Sequence, residues 1–142
     1  MATEREGSRL VGPFALAFGV AYLLIAVLEI VAGDALEPML RYTAPMNALH
    51  WLVGVTLLLA LLATRPTTTV LVRVVGALLF LLAVVSVLAR QQTGDLFVFG
   101  EPMPFASIAL HGLTGIALLV STVPRWTAPR QAPDGSTQGA SA

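Results

Sequence analysis

The chain contains no cysteine and no lysine. Without thiols it can form no disulfide, no thiolate metal site and no thiol nucleophile. All eight basic residues are arginine and they balance eight acidic ones, so no net field points to nucleic acid or to an anionic partner. Charge is scarce, at 11% of 142 residues, and there are only two histidines. What remains for chemistry is imidazole, carboxylate, thioether and hydroxyl. What is abundant is apolar: 56% of the residues are hydrophobic and the mean hydropathy is +0.83. That composition lies far from the soluble average and makes a lipid bilayer the natural solvent.

Polar breaks divide the apolar sequence into stretches at 11–32, 44–63, 70–89 and 105–123. Each holds about 20 residues, and a helix rising about 1.5 Å per residue spans the roughly 30 Å hydrocarbon core at that length. Only a helix satisfies its own backbone there, so the expected fold is an all-α membrane protein, an up-down bundle of four transmembrane helices. Pro45 and Pro104 fall near the first turns of the second and fourth spans, where a missing N–H is harmless. The first stretch exceeds a signal-peptide core and is expected to stay as an uncleaved span. Residues 1–10 and 124–142 are read as tails, the second disordered because it is rich in Pro, Gly, Ser and Ala. Arg5, Arg9, Arg65, Arg73, Arg125 and Arg130 share one side of this topology and only Arg41 and Arg90 the other. The positive-inside bias puts both termini in the cytoplasm.

The two histidines sit in the same phrase, "ALHWLVGVTLL" from Ala48 and "ALHGLTGIALL" from Ala109, offset by 61 residues with seven of eleven positions identical. Gly33-Asp34 and Gly94-Asp95 precede them at the same spacing. The repeat implies a duplicated two-helix hairpin with a pseudo-twofold axis along the membrane normal, the second and fourth spans on one diagonal.

His50 and His111 are the candidate intramembrane site, since an ionisable residue within a span is functional by default unless it serves as interhelical hydrogen-bond glue. Gly54 and Gly115 follow one turn later and are read as helix-packing glycines. Packing glue is the favoured reading. A haem b iron held between both imidazoles is one alternative, with the glycines making room for the ring. A copper site is another, with Met46 four residues before His50, Met103 eight before His111, and Met39 nearby. At the 61-residue offset Glu29 falls on Arg90; the pair is read either as an ion pair across the bundle or as two side chains snorkelling to headgroups. Ala15 with Gly19, and Ser107, His111 and Gly115, form small or polar packing stripes. There is no P-loop, dinucleotide-binding glycine pattern, H-E-x-x-H or G-x-S-x-G.

"NALHWLVG" (47–54 carries N-x-x-H-x-x-x-G) together with "ALHGLTG" resembles a family of small four-span bacterial membrane proteins of unknown function. The resemblance covers roughly Val11 to Val123, includes Asn47, and implies a bacterial plasma membrane with no assigned activity. That family often carries an acidic or amide residue three before the second histidine, where this chain has Ile108. The expected function is therefore structural or accessory rather than enzymatic, without a cofactor. The bilayer is the first partner, with a homo-oligomer or larger membrane complex as the setting. A redox protein, or an oligomeric small-solute channel or carrier, is the alternative class.

Overall fold

A computed structural model describes residues 10–36, 43–93, 97–98, 101–102 and 104–123. Among these the chain forms four helices, α1 (Val11–Leu36), α2 (Ala44–Ala60), α3 (Arg65–Thr93) and α4 (Phe105–Ser121). Two antiparallel two-residue strands, β1 (Phe97–Val98) and β2 (Glu101–Pro102), lie between α3 and α4. The tails and residues 37–42, including Met39, lie outside the described residues, as does Met103.

The helix ends follow from local chemistry. Thr43 is extended (φ −129°, ψ 142°) and its hydroxyl accepts from the Met46 N–H at 3.4 Å, an N-cap that starts α2 with Pro45 in its first turn. In α1 the helical backbone breaks at Ala32 (φ −130°, ψ 26°), immediately before Gly33. The short α2–α3 link is tied at the end of α2, where the Ala60 carbonyl accepts from the Ala63 N–H at 3.2 Å and from the Thr68 hydroxyl at 2.7 Å. Helix α3 thereby starts at Arg65, with Pro66 in its first turn, earlier than the apolar run that begins at residue 70.

Helices α1 and α2 pack antiparallel, as do α3 and α4, and these two hairpins carry the closest helix–helix contacts. The close approach is made by glycines. The Gly54 Cα faces the Gly19 carbonyl and Leu23; a Cβ there would meet them at 3.0 and 2.7 Å. At Gly115 a Cβ would meet the Phe80 nitrogen at 2.6 Å and the Gly76 carbonyl at 2.8 Å. Backbone this near needs small residues at both crossings.

These crossings allow the two hairpins to be compared position by position. Gly54 and Gly115 differ by 61 residues, but their partners Gly19 and Leu23 correspond to Gly76 and Phe80, a difference of 57. At 57 the buried positions of α1, Val11, Ala15, Tyr22, Ala26 and Glu29, fall on Thr68, Val72, Leu79, Ala83 and Ser86 of α3, all buried. At 61 the buried positions of α2, Met46, Asn47, His50, Val53, Gly54, Leu57 and Ala60, fall on Ser107, Ile108, His111, Thr114, Gly115, Leu118 and Ser121. The second hairpin is longer by four residues, about one helical turn, so its faces keep their orientation. The expected equivalence of Glu29 with Arg90 is thereby corrected: the α3 residue in the place of Glu29 is Ser86.

Polarity is arranged inside out. Large apolar side chains cover the exterior of every helix, among them Leu24 and Ile30 on α1, Leu52 and Leu59 on α2, Leu78 and Leu81 on α3, and Leu113 and Val120 on α4. The interior holds an apolar cluster with Ala15, Val53, Leu57, Val72, Leu79 and Leu118, and beside it a group of buried polar residues. Helices α1 and α3 are long and apolar enough to cross a membrane, with mean hydropathies of 2.5 and 2.7 over Val11–Gly33 and Arg65–Ala89. Helices α2 and α4 are apolar but shorter, at 17 residues each.

Candidate functional site

Several buried polar residues gather where side chains of α1, α2 and α4 meet. Tyr22 and Glu29 lie on the inner face of α1, two turns apart, within the stripe Ala15, Gly19, Tyr22, Ala26, Glu29 whose steps of four, three, four and three keep one face inward. Asn47 and His50 share the inner face of α2, one turn apart. Ser107, His111 and Thr114 line α4, and Ser86 is sealed within α3.

Glu29 is 2% exposed and does not snorkel to the surface; its carboxylate is held inside the bundle. Asn47 donates its amide N–H to Glu29 Oε2 at 3.0 Å and to the Ala26 carbonyl at 2.7 Å. His50 Nδ1 lies 2.9 Å from both carboxylate oxygens, with hydrogen-bond geometry toward Oε2. A carboxylate that accepts from an amide and an imidazole satisfies the rule that buried charge must be hydrogen-bonded. The expected partner Arg90 has its side chain outside the described residues.

His111 is turned the other way. Its Nδ1 donates to the carbonyl of Ser107, four residues earlier on the same helix. Because a carbonyl can only accept, the proton sits on Nδ1 and the Nε2 lone pair is free to accept or ligate. In His50 an ionised Glu29, which can only accept, calls for the same tautomer.

The two histidines therefore present equivalent Nε2 atoms, and both rings are fully buried. They lie nearly parallel, at 5.4 Å between centroids and 21° between planes. Tyr22 stands edge-on to both, at 5.5 Å from His50 and 5.9 Å from His111. Among the described residues, Nε2 of each histidine has no hydrogen-bond partner, whereas Glu29 Oε1 is 2.9 Å from His50 Nδ1 and the Tyr22 hydroxyl pairs with Thr114.

Of the residues singled out in the sequence, His50, His111, Asn47 and Glu29 belong to one cluster. Met46 does not turn toward it, but packs with Ala83 and Ile108 in a separate apolar cluster. Gly54 and Gly115 serve the helix crossings, and their notches are filled by Leu23 and by the backbone of Gly76 and Phe80. Tyr22, Ser86 and Thr114 were not singled out, although the four-three spacing through Tyr22 and Glu29 was a legible signal. Among the described residues no group of three or more His, Cys, Asp or Glu is arranged to hold a metal ion.

No protein-family model, no curated protein and no solved structure matches this chain. The functional reading therefore rests on the geometry of the cluster and on the N-x-x-H-x-x-x-G and H-x-x-x-G phrases.

Proposed function

We propose that this chain is a four-span integral protein of a bacterial plasma membrane, with both termini cytoplasmic, that serves as a structural or accessory component rather than as an enzyme. The buried Glu29–Asn47–His50 network, with His111 from the other hairpin laid against His50, is the observation that carries this reading. It gives two apolar hairpins one specific way to dock. Apolar contact alone does not distinguish partners in lipid, where tails are as apolar as leucine and polar contacts select the pairing.

The apolar exterior of all four helices supports the bilayer as solvent, since a water-facing bundle would carry its polar residues outside. The turns 61–63 and 122–123 extend α2 and α4 toward a full span. The matching burial of α1 with α3 and of α2 with α4 supports a duplicated hairpin. A homo-oligomer or a larger membrane complex would assemble on this same exterior.

A bis-histidine haem fits the cluster poorly. Imidazoles on opposite faces of one iron place their ring centres about 6.4 Å apart, given nitrogen–metal bonds of roughly 2.0–2.1 Å. Here the rings are closer, at 5.4 Å, and the glycine notches are occupied. A methionine-assisted copper site loses Met46 to its apolar cluster.

The deciding experiment is an optical spectrum and a thermal melt of the full chain purified in mild detergent. The expected result is no Soret band and a melting temperature that falls in His50→Ala. A Soret band that disappears in that variant would sink the structural reading, and so would an unchanged melt.

A further inference from the structure

The two unpartnered Nε2 atoms are not scattered; they belong to rings that lie against each other and against Tyr22. The large majority of buried side-chain polar atoms in native interiors have a partner, so two exceptions side by side call for an explanation. Both are acceptors once the proton of each ring sits on Nδ1, so the pair of Nε2 atoms is short of a donor or a cation.

The second bonds of the histidines narrow the choice. Histidines that ligate metal through one ring nitrogen donate the other N–H to a carboxylate or a backbone carbonyl, which fixes the tautomer and raises basicity. Both arrangements are here: His50 Nδ1 on Glu29 and His111 Nδ1 on the Ser107 carbonyl. The spacing agrees. Two imidazoles on adjacent corners of a tetrahedral ion, with nitrogen–metal bonds of roughly 2.0–2.1 Å, hold their ring centres about 5.2 Å apart; the observed separation is 5.4 Å.

We infer that Nε2 of His50 and Nε2 of His111 form an intramembrane binding site for one borderline transition-metal ion of the zinc and cobalt(II) class, which imidazole favours. Glu29 acts as a positioning residue that orients His50, and its charge offsets that of the ion. Two protein ligands leave further positions on the ion open, and Tyr22, edge-on to both rings, is the side chain nearest to them.

The test uses the full chain in mild detergent, stripped with a chelator and titrated with cobalt(II), with zinc as competitor. The expected result is uptake of one ion per chain, visible d–d absorption, and two paramagnetically shifted exchangeable imidazole N–H resonances, one from each Nδ1. Affinity should fall 10- to 100-fold in Glu29→Gln, and binding should vanish in the His50→Gln/His111→Gln double variant. Should that double variant fail to fold, the two shifted resonances of the unmutated protein carry the result. Folded protein that takes up no cobalt, or binds it without shifting either imidazole resonance, overturns the proposal. Equal binding by the folded double variant overturns it as well.

Discussion

His50 and His111 lie 5.4 Å apart, ring to nearly parallel ring, although they stand on α2 and α4, the diagonal pair whose backbones keep apart. Their side chains bridge the gap that the backbones leave. The two are not equally embedded in their surroundings: His50 bonds to another helix, while His111 bonds within its own. Removing either ring leaves a similar hole, because both are fully buried. Only His50→Ala also takes a partner from a buried carboxylate. It should therefore destabilise the folded protein by about 1–3 kcal/mol more than His111→Ala, the cost of one buried polar group losing its partner. Equal melting or denaturant shifts for the two variants would contradict this asymmetry.

The bond between Glu29 and His50 makes their substitutions interdependent. In a double-mutant cycle, the Glu29→Ala/His50→Ala variant should be less destabilised than the sum of the single variants, by about 0.5–3 kcal/mol. Additive effects would mean that the 2.9 Å contact carries no coupling.

The glycines differ in what stands against them. A methyl group at Gly54 meets the Leu23 side chain at 2.7 Å and backbone, the Gly19 carbonyl, only at 3.0 Å, whereas one at Gly115 meets the backbone of Phe80 at 2.6 Å and of Gly76 at 2.8 Å. Gly115→Ala should accordingly cost about 1–3 kcal/mol through overpacking, and Gly54→Ala less. Comparing the two by thermal melts checks the order, which a smaller loss at Gly115 would reverse.

Arg73 donates Nε to the Thr122 hydroxyl at 3.3 Å and a terminal nitrogen to the Thr122 carbonyl at 3.1 Å, closing the C-terminal end of α4. A cation there also suits the helix dipole. Arg73→Ala should lower stability by about 0.5–1.5 kcal/mol, the worth of an ordinary hydrogen bond. Faster amide exchange over Leu118 to Thr122 would locate the effect.

Because the natural chain lacks cysteine, single cysteines report topology without background. With cytoplasmic termini, Glu37→Cys in intact cells should react with a membrane-impermeant maleimide and Thr64→Cys should not. The opposite pattern would invert the proposed orientation.

Much of this organisation was legible before any coordinates. Four apolar stretches separated by proline-marked breaks correspond to four helices, because apolar length and helix starts are local properties. The histidine phrase, with seven identities in eleven residues, set α2 beside α4, and the two helices bury the same positions at that offset. The same offset misplaced Glu29. Helices α1 and α3 share a pattern of burial rather than identity, and their offset differs by one turn, which no count of matching letters detects. Glu29 was therefore set against Arg90, when the bundle sets it beside His50 and gives its place in the other hairpin to Ser86.

By itself, then, the sequence determined that the chain is helical, that its surface is apolar, and that its two histidines occupy equivalent places. These follow from composition and from spacing along single helices. Only the tertiary structure decided what the histidines touch, that Tyr22 joins them, and that their Nε2 atoms are left without partners. Those facts depend on how the helices are rotated and shifted against one another, which is set by glycine crossings between segments 35 to 39 residues apart, Gly19 with Gly54 and Gly76 with Gly115.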